Sequence, residues 1–329
     1  MELDANYFFA WRKGRDIPPL ITTAPAGVTP ALSTAGTRVV FGESNTADSP
    51  QSGVEGSLTY WVCDNMALRG GGLWVFEEKN SGSISSDSSG VPSIGLPYYN
   101  TLSEAEGATT IALENAFSGS AKAMATNSIW GANAMIQWDC SNCYAYRIGF
   151  LAGYQHYTIM DDVKLEANSD FLLLENTAAV DNTFSAHNNF NGGALGVSFD
   201  NYCGCWELSF AGSAAFGEMS STVKIEGTGV ISPSTGQLIG FVQDSNRGTY
   251  CSSCFAVVPE FSARVCYHFN KCFCLNVGYK AVYWSSVYLA GDQIDRRINP
   301  LAASNYPEYL NKKTTFWLQG VTLGFHLVF

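Results

Sequence analysis

The residues able to do chemistry in this 329-residue chain are its cysteines, its four histidines and a thin set of charges. The ten cysteines fall into local groups: Cys140/Cys143, Cys203/Cys205, Cys251/Cys254 and Cys266/Cys272/Cys274, with Cys63 alone. So many cysteines near one another point to an oxidising compartment, where disulfides form and persist. Two CxxC pairs could read as zinc ligands. They lie far apart, however, and the strand pattern puts them on opposite sides of a membrane. No βαβ pattern surrounds them to make a redox motif. Disulfides are expected between Cys140 and Cys143, between Cys251 and Cys254, and between Cys266 and Cys274, which face each other across a turn at Asn270-Lys271. No metal and no cofactor is expected.

Among His156, His187, His268 and His326, a hydrolytic grouping would need a nearby carboxylate. His156 with Asp161 and Asp162 is the best such set. Asp292 and Asp295 lack the spacing of a calcium loop, and no Walker, dinucleotide or GxSxG signature stands in a supporting context. The remaining charges, Glu55, Lys122, Arg147, Glu207, Glu260, Arg264 and Lys280, are expected on one polar face. Facing a lumen, they would form either a solute-selecting constriction or a plug of paired charges that stiffens a narrow barrel.

Those residues must be positioned by elements that never concentrate hydrophobicity. Hydrophobic residues make up 46% of the chain and aromatics 13%, yet mean hydropathy is only +0.01. No apolar run approaches the ~20 residues of a spanning helix. A net charge of −11 with 18 basic residues excludes a nucleic-acid-binding face. Met1 leads straight into Glu2-Leu3-Asp4-Ala5 without an apolar export core, so the expectation is a mature form from which an export signal has been removed.

Strand-like segments recur with a fixed rhythm. Residues 57–62 and 68–76 flank Asp64-Asn65, and 129–138 and 144–157 flank 139–142. Residues 195–199 and 206–216 flank 200–204, and 255–269 and 272–284 flank Asn270-Lys271. Residues 3–11 and 316–329 add a strand at each end. Long polar connections are expected at 14–53, 78–114, 168–182, 226–253 and 288–313. Short turns on one side and long loops on the other are the asymmetry of an outer-membrane barrel. An even strand number lets the first and last strands pair and close the sheet. Ten strands are expected, or twelve if residues 37–41 form another or extend one above the membrane.

The pleat sorts into two faces. Trp206, Leu208, Phe210 and Phe216 share one, with Glu207, Ser209 and Ser213 opposite. Trp317, Val321, Leu323, Phe325, Leu327 and Phe329 share one, with Thr322, Gly324 and His326 opposite. Trp11, Trp61, Trp138, Trp206, Trp284 and Trp317 lie near strand ends, where interfacial girdles need amphipathic rings.

The runs Phe255-Ala256-Val257-Val258-Pro259-Glu260, Gly278-Tyr279-Lys280-Ala281-Val282-Tyr283-Trp284-Ser285 and Gly291-Asp292-Gln293-Ile294-Asp295-Arg296-Arg297 resemble the β-barrel porin family abundant in planctomycetes (the BBP7 family). So do Leu20-Ile21-Thr22-Thr23, Phe190-Asn191-Gly192-Gly193-Ala194-Leu195-Gly196 and Leu151-Ala152-Gly153-Tyr154. The similarity runs nearly end to end. It implies an outer-membrane barrel and names no substrate.

The expectation is thus a single all-β domain over 1–329: a transmembrane, antiparallel, up-and-down β-barrel with short periplasmic turns and long extracellular loops. It would pass small solutes or serve as a structural barrel, without catalysis. A rim enzyme built on His156, or a surface protein binding through its loops, are the alternatives. Its partners would be outer-membrane lipid, the barrel-assembly machinery that reads Phe325, Leu327 and Phe329 as an insertion signal, and a second copy or surface partner at the loops.

Overall fold

The computed structural model describes residues 1–43, 50–142, 145–173, 176–232, 240–300 and 305–329, with no side chains described at 141 and 142. In chain order the strands are β1 (Glu2–Arg12), β2 (Ile21–Ala24), β3 (Arg38–Phe41), β4 (Gln51–Cys63), β5 (Met66–Ser85), β6 (Ser93–Asn100), β7 (Ala105–Ala112) and β8 (Phe117–Asn142). They continue with β9 (Tyr146–Phe171), β10 (Thr177–Cys203), β11 (Trp206–Ser232), β12 (Gly248–Asn270), β13 (Phe273–Val287), β14 (Arg297–Ile298) and β15 (Thr314–Val328). Among the described residues no helix is long and apolar enough to cross a membrane.

Ten strands close an antiparallel barrel in the order β1-β15-β13-β12-β11-β10-β9-β8-β5-β4. Every barrel neighbour is also the next barrel strand along the chain. The ring shuts where β1 meets β15, from Glu2 opposite Val328 to Arg12 opposite Leu318. Closure leaves no edge strand within the ring, which is what a sheet in lipid requires.

The outward face carries a belt of exposed apolar side chains, among them Phe9, Leu58, Ile136, Phe150, Leu195, Phe261, Val277 and Leu323. Trp138 and Trp206 mark its short-turn edge, and Trp11, Trp74 and Trp130 its long-loop edge. From Trp130 to Trp138 the strand climbs about 27 Å at ~3.4 Å per residue. A tilt of ~40° reduces this to about 20 Å, near the height of a lipid-facing band. Two tryptophans expected in the girdles are not there. Trp284 is fully buried inside the barrel, and Trp61 turns inward to donate its Nε1–H to Glu2 at 2.8 Å.

Strands β8 to β11 run for 26 or 27 residues, more than twice the ~9–11 a membrane needs. The connection expected at 168–182 is therefore largely strand, since β9 reaches Phe171 and β10 starts at Thr177, and the one expected at 226–253 is strand at both ends, over 226–232 and 248–253. Above the belt the outward face meets water, so Asn168, Asp170 and Asp181 alternate with small inward residues such as Ala167, Ala178 and Val180. That composition resembles a loop while its backbone remains paired in register.

The loops expected at 14–53, 78–114 and 288–313 build a second, five-stranded sheet in the order β14-β6-β2-β3, with β7 on β6. Residues 38–41 belong to this sheet and not to the barrel. It packs against the tall wall of β8 to β11: Ile17, Leu20, Ile21, Ile94, Leu96 and Ile111 share one apolar core with Ala121, Ala123, Val163, Leu165, Phe184 and Val223. A second apolar layer lies lower, within the ring itself, and gathers Phe8, Ile129, Tyr157, Phe190, Met219, Val258, Trp284, Phe316 and Leu318 from nearly every barrel strand. The rings of Tyr157 and Trp284 meet edge to face at 5.1 Å from walls four strands apart. Gly131 makes room for this packing, since a Cβ there would stand 2.3 Å from the Tyr157 ring.

Candidate functional site

The inward polar groups of the barrel form three tiers, with the lower apolar layer standing between the upper tier and the other two. The alternation of each strand sets the tiers, because every second residue points to the lumen.

At the short-turn end, Arg264 of β12 bonds Asp4 of β1 across the ring and reaches Glu207 of β11 at 3.2 Å. His326 Nδ1 lies 3.0 Å from Asp4, and His268 Nε2 lies 2.8 Å from Glu207. Beside them Arg147 pairs with Asp139 at 3.4 Å and stacks on the Trp61 ring at 4.6 Å. Cys266 and Cys274 are joined Sγ to Sγ here, with their Cα atoms 6.0 Å apart. They sit diagonally, since Cys274 stands opposite His268 and Cys266 opposite Asn276.

In the middle tier Lys280 of β13 is held between Glu55 at 2.8 Å and Glu260 at 2.7 Å. Tyr157 and Gln155 of β9 each donate to Glu260 at 2.6 Å. Two cavities of about 120 and 110 Å³ border these tiers, lined by Glu55, Arg69, Ser262 and Lys280 in common. Each has room for a few waters.

The upper tier lies beneath the loop sheet. Arg12 pairs with Glu78 at 2.5 Å, and the fully buried Arg15 pairs with the fully buried Asp161 at 3.3 Å. Glu78 faces inward because the register of β5 on β8 slips between Val75 and Glu78. A bulge adds one residue and re-aims the side chains beyond it.

Of the seven charges expected in the lumen, the structure brings Glu55, Glu260 and Lys280 together, and Glu207 with Arg264. Arg147 lies at the short-turn mouth with a different partner. Lys122 is not inside: it is exposed on the outward face of β8, between the buried Ala121 and Ala123. Asp4, Gln155, Tyr157, Arg12, Arg15 and Glu78 complete the tiers and were not singled out from sequence. Inward parity was the available signal for Asp4 and Gln155, while the bulge concealed Glu78.

The rim grouping of His156 with Asp161 and Asp162 does not assemble. His156 faces outward, with Nδ1 2.8 Å from Asn191 and its ring 4.8 Å from that of Trp130, while Asp161 points into the barrel. Cys251 and Cys254 are free, correcting the expected bridge between them. Residues three apart on one strand are about 10 Å apart and point to opposite faces, beyond the ~7 Å reach of a disulfide. Cys140 is also free, and Cys143 lies outside the described residues.

The Gly291-Asp292-Gln293-Ile294-Asp295 run is a staple of the loop sheet. Asp292 holds Lys312 at 2.6 Å, and Gln293 donates to the Lys312 carbonyl at 2.8 Å. Asp295 accepts three bonds from Arg297, two from its guanidinium at 2.9 and 3.1 Å and one from its backbone N–H at 3.0 Å, and a fourth from the backbone N–H of Glu308. Hydrogen bonding to Asp295, and then to Glu308, raises the Arg297 pKa above its ordinary value. The carboxylates weighed for calcium are thus taken up by cations and backbone donors.

The family model described as "Putative beta barrel porin-7 (BBP7)" matches residues 3–329. The chain belongs to the BBP7 family. Among solved structures, the outer membrane protease OmpT from Escherichia coli superposes with a TM-score of 0.52 at 11% identity, covering 100% of this chain and 96% of that one. A FadL homologue from Pseudomonas aeruginosa has a TM-score of 0.25, with 10% identity over 99% of this chain and 89% of that one. An anion-selective porin from Comamonas acidovorans scores 0.22, at 8% identity over 100% of this chain and 99% of that one. The OmpT likeness shows the barrel fold alone, and the two lower scores carry no argument. No curated protein matches the chain. Membership of BBP7 makes this a porin-like β-barrel of outer-membrane type, and neither its family nor its fold states a solute.

Proposed function

We propose that this BBP7 protein is a sealed structural barrel of the outer membrane. Its ring is a rigid anchor for the extracellular sheet of loops, and it is not an open path for solutes. The observation that carries this reading is the apolar layer across the lumen, where Phe8, Phe190, Trp284 and Phe316 are all 0% exposed. Ten strands enclose little space in any case, since ~8 are already filled by side chains and ~16 are needed for an aqueous channel. The charged tiers below that layer are mutually paired, and they stiffen the wall instead of selecting ions.

On this reading the belt contacts outer-membrane lipid, the last strand is handed to the barrel-assembly machinery, and any further partner, a second copy included, meets the loop sheet. The test is solute flux. Liposomes carrying the purified protein should swell in arabinose or glycine no faster than empty ones. Swelling at the rate given by a general porin at equal protein content would overturn the sealed reading and restore solute passage.

A further inference from the structure

The short-turn tier holds a constellation that neither the family nor a structural barrel requires. The ligand atoms of Cys266, His268 and Cys274 all lie within 4.8 Å of one another. Both sulfurs are buried on the lumen side, while the His268 side chain is about a quarter exposed, at 27%. We propose that in the reduced protein these three residues bind one soft cation, Zn²⁺ or Cu⁺, in exchange for the disulfide.

The donor set fits this class of ion. Thiolate and imidazole select zinc and cuprous copper over hard cations. Zinc bonds of ~2.3 Å to sulfur and ~2.0–2.1 Å to nitrogen place tetrahedral ligand atoms about 3.5–3.8 Å apart, within the span observed. The backbone already provides the approach: Cys274 stands directly opposite His268, and Cys266 is two residues from His268 on the same face of β12.

The surroundings add two features of a built site. Glu207 lies 2.8 Å from His268 Nε2. Carboxylates in that relation orient a ligating ring and raise its basicity. Glu207 also stands opposite Cys266 in the β11–β12 register and is held by the guanidinium of Arg264, which fixes the carboxylate beside the group. His268 lies two residues before the Asn270-Lys271 turn, so an ion would enter from the short-turn mouth. Three protein ligands leave a fourth position open, the arrangement of an exchangeable site and not of a closed structural one.

The exchange balances. A phosphine reductant supplies two electrons and leaves as its oxide, taking the oxygen of one water whose two protons go to the sulfurs, so the Sγ–Sγ bond is split and two thiols remain. The incoming cation displaces those two protons and takes both thiolates. A small-molecule disulfide oxidant accepts the two electrons by thiol–disulfide exchange and leaves as two thiolates, which forms the Sγ–Sγ bond again and expels the ion.

The test uses the full-length chain in detergent with Cys63, Cys140, Cys143, Cys203, Cys205, Cys251, Cys254 and Cys272 replaced by serine, so that only Cys266 and Cys274 remain. After reduction by a phosphine, incubation with Zn²⁺ and desalting, one zinc per chain is expected. Less than one tenth of that is expected for the oxidised form, and for His268→Ala or Cys274→Ser in the same background. No retained zinc after reduction, or full retention in His268→Ala, would overturn the proposal. Should the serine background not fold, Co²⁺ added to the reduced wild-type chain reports the same site. Its thiolate charge-transfer absorption should appear on reduction and vanish in the double variant Cys266→Ser/Cys274→Ser. A spectrum unchanged in that variant would equally overturn it.

Discussion

At the scale of single residues, the lumen is decided by pairing. Lys280 between Glu55 and Glu260 was legible in outline, because all three alternate with apolar neighbours in strands that cross lipid. Lys122 was not, for a physical reason. It lies above the belt, where the outward face meets water, so a charge no longer marks the lumen. The ion pair of Arg15 and Asp161 was also hidden, since Asp161 sits in a Met-Asp-Asp run where only strand parity distinguishes it from Asp162. Both partners are fully buried, and Asp161 also accepts the Ala290 N–H at 2.8 Å. Removing one partner of such a pair leaves an uncompensated buried charge and costs about 3–5 kcal/mol. Arg15→Met should therefore lower the stability measured by urea or heat unfolding by that amount, with Asp161→Asn in the same chain restoring at least half. A stability unchanged to within about 0.5 kcal/mol would show that the pair contributes nothing.

At the scale of elements, the four short hairpins and the two terminal strands stand where the alternation and turn residues put them. The filled lumen was encoded differently, in short runs where alternation stops. Phe8-Phe9-Ala10-Trp11, Val282-Tyr283-Trp284 and Phe316-Trp317-Leu318 are apolar on both faces because one face meets lipid and the other the apolar layer. Such runs are the mark of strands buried on both sides. The loop sheet was legible only at residues 37–41, read as a possible further strand, because β2, β3 and β14 span two to four residues each and carry no period of their own. The last strand closes the ring through its whole length, and the Phe329 N–H reaches the Met1 carbonyl at 2.9 Å while its side chain is 71% exposed. A terminal ring that packs on little contributes little to the finished fold, and the proposed role in assembly is open to a direct test. Phe329→Ala should reduce the amount of folded protein in the outer-membrane fraction several-fold while leaving synthesis and the stability of purified protein unchanged. Equal outer-membrane levels would remove the insertion-signal role without touching the barrel.

At the scale of the molecule, a ring with a complete lipid-facing belt is filled twice over, by the apolar layer inside it and by the loop sheet seated on the tall wall of β8 to β11. Strand alternation, short turns set against long polar connections, and tryptophans near strand ends pointed to a membrane barrel, while net charge excluded only a nucleic-acid-binding face. Whether the lumen is open depends on which large side chains turn inward, and that is a property of the closed ring. The central claim is that the ring is sealed, and single-channel recording in planar bilayers tests it most directly. Purified wild-type protein, inserted and verified as folded, should give no steady conductance steps in concentrated KCl. Reproducible steps of uniform size from the wild-type chain would contradict the account.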